Sequence, residues 1–312
     1  MPMSINRIAR RIAACLLVSL CALLGNIRSA DAKVRVVTTV ETFADLARRV
    51  GGDLVEVQPL GRGTMDPHFV EAKPSLQILL NRADLLVHVG LDLEIGWLPP
   101  LLVGARNSKI LNGTPGNLNV SQNIPVLDLP KTQIDRSMGD IHPMGNPHYW
   151  IPPDNAVIIA GEIADRLCQL DPAHANQFQS NLSRFKQEIS AHKVAWEKEA
   201  APLKGLKIVT YHKSWSYVSQ WLGMEEVGYV EPKPGIPPPL SHLYQLVGLM
   251  RQQKVKVVVV ETFYSRKTAE EVARLSGGKL AILPSDVGAR GDVKDYFALV
   301  DAVVKGIVEA AK

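Results

Sequence analysis

The chain has 312 residues and a formal net charge of +4, from 35 Lys and Arg against 31 Asp and Glu. Four of the arginines and one aspartate fall in residues 1–32, which leaves 31 basic against 30 acidic residues in the remainder. That balance excludes nucleic acid as the implied partner, and about 280 residues suffice for two lobes of roughly 140 each.

Residues 1–32 read as a secretory leader. Arg7, Arg10 and Arg11 form a basic start, Ala13 to Leu24 (AACLLVSLCALL) an apolar run, and Ala30-Asp31-Ala32 a small-x-small cleavage signal, with the cut expected after Ala32. The run is too short for a membrane-spanning helix, which needs about 20 apolar residues. Cys15 and Cys21 leave with the leader, so Cys168 alone remains and no intramolecular disulfide is expected, although the exported compartment is oxidising. Cys21 follows Val18-Ser19-Leu20 in mid-run, a poor fit to a lipid-anchoring site. A soluble periplasmic monomer is the expectation.

The remainder opens with a β-branched strand, Val34 to Val40, and a helix over 42–50 with apolar residues at 43, 46, 47 and 50, closed by Gly51-Gly52. A second strand follows in DLVEVQPL. Ser75 to Gly90 reads as a helix ending in the strand ADLLVHVG. Pro172 to Ala200 is one long helical pattern, apolar at 178, 182, 185, 189 and 196, with Asp171-Pro172 as its start signal. Beyond it the opening unit recurs. LKIVTYHKSWSYVSQWLGM (206–224) sets Ile208, Val209, Thr210, Trp215, Val218 and Gly223 under Val36, Val37, Thr38, Phe43, Leu46 and Gly51. A further helix from Ser241, placed as its N-cap, leads to the strand KVKVVVVE, and KLAIL follows. Short apolar runs alternating with helices predict an α/β fold of parallel sheets covered on both faces. The repetition predicts two such lobes, 33–170 and 204–312, joined by a bridging helix over 171–203. Proline-rich joints stand at Pro99-Pro100, Pro152-Pro153 and Pro232 to Pro239.

Eight histidines are the chemically interesting residues. His88 lies in an apolar strand, His174 and His192 in the long helix, and His242 beside a helix start; all four read as structural or solvated. His142 lies in the stretch before GNPHYWIPPDN. His68, His148 and His212 sit at loop positions, two of them just past strand ends, each beside an aromatic residue. Ligands of doubly wound sheets bind at the carboxyl ends of strands. Neutral imidazole suits zinc and its neighbours, and a closed tetrahedral site needs a fourth ligand. Asp286, after KLAIL, is the candidate, with Glu261 in reserve. No HExxH, CxxC, phosphate loop or GxSxG elbow is present. Spacing alone leaves metal binding and scattered structural histidines both open.

At these residues the sequence resembles the zinc- and manganese-binding solute-binding proteins of bacterial ABC transporters, the cluster A-I (cluster 9) group. GTMDPHFVEAKPS, RADLLVHVGLDLEIGW, GNPHYWIPPDN, TYHKSWSYVSQWLG and the segment from VVVETFYS to PSDVG carry the likeness, which spans the chain after the leader. It implies metal ligands at His68, His148, His212 and Asp286, two parallel-sheet lobes bridged by one helix, and delivery of the ion to a membrane permease without catalysis. A histidine at the third position, where manganese-binding members usually carry a carboxylate, implies Zn²⁺ as the transported ligand. The chain departs from many zinc members in lacking a long His- and acid-rich loop, and its Ile-Pro-Pro-Asp turn differs from the commoner Leu-Asp-Pro. His142 is placed outside the ligand set, at the cleft mouth or behind the ligands.

Capture by neutral imidazoles predicts an affinity that falls below about pH 6.5. Mn²⁺ or Fe²⁺ is the alternative within the family. An exported zinc hydrolase with Glu261 as base, or a metal-independent adhesin-like protein, are the alternatives from other classes.

Overall fold

The computed structural model describes residues 32–130, 142–233 and 235–312; residues 1–31 of the expected leader, 1–32, lie outside them. The first sheet is built from β1 (Val34–Thr38), β2 (Val55–Pro59), β3 (Leu85–His88) and β4 (Asn117–Asn119), all parallel in the order β2-β1-β3-β4. The second is built from β5 (Lys207–Thr210), β6 (Glu225–Tyr229), β7 (Val257–Glu261) and β8 (Lys279–Leu283), parallel in the order β6-β5-β7-β8. The two orders are the same, as the repeated opening unit predicts. In each sheet the chain changes winding direction beside the first strand, between β1 and β3 or between β5 and β7, and this is where an open α/β sheet leaves a crevice.

Strand composition explains the layering. Along β1, Val34 and Val36 face one apolar cluster and Val37 another; along β7, Val257 and Val259 divide from Val258 and Val260 in the same way. A strand buried on both faces needs apolar residues at every position, hence the near-continuous runs. Helix α1 (Glu41–Gly51) buries Phe43, Leu46, Ala47 and Val50 as its sequence stripe predicts, and Gly52 ends it at φ +56°. α2 (Pro74–Arg82) and α3 (Leu98–Ala105) cover the outer face of the first sheet, with Leu80 and Leu101 in its cluster. α4 (Pro153–Leu170) follows the turn Ile151-Pro152, with Pro153 at its first position, where a missing N–H costs nothing.

The inner cluster belongs to both sheets. It runs from Val36, Phe43 and Val87 through Tyr149 and Trp150 to Trp215, Val259 and Tyr296. The long helix α5 (Ala175–Glu199), roughly 40 Å from end to end, buries Phe178, Leu182, Phe185, Ile189 and Trp196 against it. Asn181 Nδ2 donates to the Val50 carbonyl at 2.8 Å, and Trp196 Nε1 donates to Asp301 Oδ1 at 2.6 Å in α9 (Tyr296–Ala311). The helix is therefore fastened to both halves.

Two details differ from the sequence reading. A 3-10 turn, Pro172–His174, precedes α5, because Asp171 pairs with the His174 ring at 2.7 Å instead of capping the helix. The helix α7 (Leu240–Gln253) starts one residue before Ser241, on the extended Pro239. Between them lies the short α6 (Ser216–Leu222), and α8 (Arg266–Ser276) packs beside β7 and β8. Among the described residues no helix is long and apolar enough to cross a membrane.

Candidate metal centre

His68 sits in the loop between β2 and α2. Asp66 shapes this loop: its Oδ1 accepts the His68 backbone N–H at 3.0 Å and faces the ring Nδ1 at 2.7 Å. Burial pushes the Asp66 carboxyl up, but bonding to His68 and the nearby imidazoles outweigh it and hold the group below its usual range. An ionised acceptor at Nδ1 fixes the proton there and leaves Nε2 free for a ligand. Trp97 Nε1 donates to the Pro67 carbonyl at 3.0 Å and holds the loop from behind.

His148 stands in a segment with no regular structure, pinned on both sides. Asn146 Oδ1 accepts the His148 N–H at 2.9 Å. Tyr149 Oη donates to the Val89 carbonyl at 2.6 Å, and Trp150 Nε1 to the Ser285 carbonyl in the other half at 2.8 Å. Gly145 adopts φ +100°, and a Cβ there would overlap Val126. The aromatics and prolines of NPHYWIPP thus act as anchors that present one ring. His148 is 7% exposed, and its Nε2 is a buried atom with no hydrogen-bond partner. Burial first, then the adjacent imidazoles, pushes its pKa well below the ordinary value, so the ring is neutral.

His212 lies two residues past β5. Glu231, which follows β6, approaches its Nδ1 at 3.0 Å through Oε2 and takes the Gly235 N–H at 3.0 Å through Oε1. Both partners are buried. This is a second carboxylate–histidine pair with Nε2 turned away from the carboxylate.

The three rings converge. Centroids of His68 and His148 are 5.0 Å apart, those of His68 and His212 5.4 Å, and those of His148 and His212 5.3 Å. His142, placed outside the ligand set from sequence, joins them. Its Nε2 lies 3.1 Å from His68 Nε2, and its ring contacts His68 at 5.2 Å and His148 at 6.2 Å. Ligand nitrogens of His68, His142 and His148 all lie within 4.8 Å of one another. Burial and the other imidazoles push His142 down to about 3. A cavity of about 280 Å³, lined by His142, His148, His212, Lys213 and Asp128, opens beside the cluster.

The carboxylates behave differently. Asp286 is buried, and its oxygens accept from the Thr42 N–H at 2.7 Å, the Thr42 hydroxyl, the Val287 N–H at 2.9 Å and the Glu41 N–H at 3.0 Å. Burial pushes the carboxyl up to about 6 in spite of these donors. Asp286 thus caps the first turn of α1 from the opposite half of the molecule. Glu261, 1% exposed, ends β7; Ser214 Oγ donates to its Oε1, and its Oε2 is a buried atom without a partner. Burial pushes it up to about 8, so it holds its proton at neutral pH.

The four histidines read as structural or solvated stay apart from this cluster. His88 Nε2 bonds Asn117 Oδ1 at 3.1 Å, His242 Nε2 bonds the Tyr229 carbonyl at 2.9 Å, His174 pairs with Asp171, and His192 packs on Phe297. Sequence reasoning missed both orienting carboxylates. Asp66 carries a faint signal, an Asx turn two residues before His68; Glu231 carries none.

Comparison with known proteins places these residues in context. A family model described as ZnuA, zinc-uptake complex component A periplasmic, matches residues 36–310. The iron-binding protein YfeA of Yersinia pestis is 27% identical over 303 residues, covering 94% of this chain and 91% of its own. The zinc-binding lipoprotein AdcA of Streptococcus pneumoniae is 25% identical, and there the match covers 94% of this chain but 59% of the relative. A crystal structure of ZnuA superposes with a TM-score of 0.73 at 25% identity, over 90% of this chain and all of that one.

Proposed function

Because the chain belongs to the ZnuA family of periplasmic metal-uptake components, we propose that it captures Zn²⁺ between its two halves and delivers it, as a monomer, to the membrane permease of an ABC transporter. The observation that carries this reading is the convergence of His68, His148 and His212 within 5.0–5.4 Å, ring to ring. Two of these rings have Nδ1 held by a carboxylate, the arrangement that raises imidazole basicity and aims Nε2 at a metal. The third has an orphaned, buried Nε2 that a bound ion would satisfy.

Three neutral imidazoles favour zinc. Imidazole suits zinc and its neighbours, whereas manganese prefers oxygen donors. Glu261, protonated at neutral pH, is a poor general base for the hydrolase alternative. A periplasmic location agrees with the expected leader and with the family's description.

Isothermal titration of chelator-stripped protein with Zn²⁺, Mn²⁺ and Fe²⁺ tests this. One zinc per chain, lost in His68→Ala and His212→Ala, is the expected result. Stoichiometry well below one, or an unchanged affinity in both variants, would sink metal capture. Tighter binding of Fe²⁺ than of Zn²⁺ would instead favour an iron carrier, in line with the iron-binding relative from Yersinia pestis.

A further inference from the structure

We infer that the metal site is a cluster of four imidazoles, with His142 as the fourth ligand, and that Asp286 serves as a clasp between the two halves. The inference rests on the metal-capture reading and sharpens it, because the family resemblance would put Asp286 in the fourth position.

The first support is geometric. Two nitrogens bound at about 2.0–2.1 Å to one tetrahedral ion stand about 3.3 Å apart. His142 Nε2 and His68 Nε2 are 3.1 Å apart before any ion is considered. His142 also contacts the ring of His148, so the His68–His148 pair is shared by His142 and His212. The orphaned Nε2 of His148 lies in this same group.

The second support is orientation. The Leu91 carbonyl, on a residue held at φ +52° in the turn after β3, stands near enough to the His142 ring to oppose the downward push of burial on it. A backbone carbonyl is one of the groups that can orient a ligand histidine. His68 and His212 are each held from behind by a carboxylate, and the Leu91 carbonyl stands near the ring of His142.

The third support concerns Asp286. A carboxylate offers about two lone-pair sites on each oxygen; the Thr42 N–H, the Thr42 hydroxyl and the Val287 N–H crowd onto Oδ1, and the Glu41 N–H takes one site on Oδ2. Ligation would draw Asp286 away from the first turn of α1, which it caps from the other half. A helix N-terminus is a favourable place for a carboxylate to remain. Beside Asp286 the halves touch closely as well, since a Cβ on Gly63 would overlap the Val287 carbonyl.

The consequence is selectivity. Four neutral imidazoles carry no charge and no hard oxygen, a donor set that favours zinc over manganese more strongly than three imidazoles and a carboxylate would.

X-ray absorption of the zinc-loaded protein after leader removal, with imidazole outer-shell scattering counted, tests the inference. Four imidazoles are expected in the wild type. His142→Ala should leave three plus one light oxygen scatterer, with zinc affinity at least tenfold weaker. Asp286→Asn should keep four imidazoles and an affinity within about threefold, while lowering the melting temperature of the zinc-free protein. A wild-type spectrum of three imidazoles and a carboxylate oxygen overturns the inference and leaves metal capture standing. So does a His142→Ala protein of unchanged affinity. A wild type that takes up no zinc overturns both. Should Asp286→Asn fail to fold, the wild-type spectrum and His142→Ala decide the matter, and Thr42→Val replaces it as the clasp variant.

Discussion

Asp66 Oδ1 bonds His68 twice, at the backbone N–H (3.0 Å) and at the ring Nδ1 (2.7 Å), so one carboxylate oxygen sets both the loop and the ring. Asp66→Ala should therefore weaken zinc binding about 10–100-fold, the usual cost of losing such a partner. The helical and strand content should stay unchanged. Competition against a chromophoric chelator, with circular dichroism as the control, measures both.

Glu231 does the same for His212 and also fastens Gly235. Glu231→Gln keeps one acceptor oxygen, whereas Glu231→Ala keeps none. The expected order of zinc affinity is wild type, then Gln, then Ala. Equal affinities across the series would show that His212 is positioned by its backbone alone.

Zinc should stabilise the fold. At free zinc 100 times the dissociation constant, the gain is about 2.7 kcal/mol if only the folded state binds. Scanning calorimetry with and without zinc reads this as a rise in melting temperature, reversed by chelator. His148→Ala should abolish the rise.

Glu261 makes the zinc-free protein pH-sensitive in an unusual direction. Its folded-state pKa is raised from 4.5 to about 8. Between these values the unfolded chain has released a proton that the folded chain keeps. Stability contributed by this group is therefore fully present below about pH 4.5 and lost as pH rises through about 8. The window amounts to a few kcal/mol, at roughly 1.4 kcal/mol per unit. Denaturant melts at pH 5.5 and pH 8.5 should differ accordingly, and Glu261→Gln should flatten the difference.

The long helix offers a control. Asn181→Leu roughly preserves volume but leaves the Val50 carbonyl without its side-chain donor. A loss of about 1–3 kcal/mol is expected in urea melts. Zinc affinity should be unchanged, because the helix holds the halves and not the ligands.

Local pattern made the sheets legible. VRVVT and KIVT repeat a unit in sequence because each must be buried on both faces, and the two sheets duly share one strand order. His68 and His212 drew attention because they follow strand ends, where a parallel sheet leaves its crevice. What was illegible was long-range. Glu231 is 19 residues from its histidine, His142 is 74 residues from His68, and Asp286 is 244 residues from Thr42. His142 lies in a stretch with no apolar period, so nothing local marks the direction of its ring. The cap on α1 could not be read from its own neighbourhood because the capping residue comes from the opposite end of the chain.

The inner apolar cluster shared by both sheets has a consequence for how the molecule comes apart. Cutting the chain between Ala200 and Lys207 would give two fragments, each with a bare face of Trp, Tyr, Phe and Val side chains. Neither would be soluble alone, and heating the intact chain should give a single endotherm. Side chains from both sheets interlock in that cluster, so the two halves are expected to come apart together on unfolding and not one after the other.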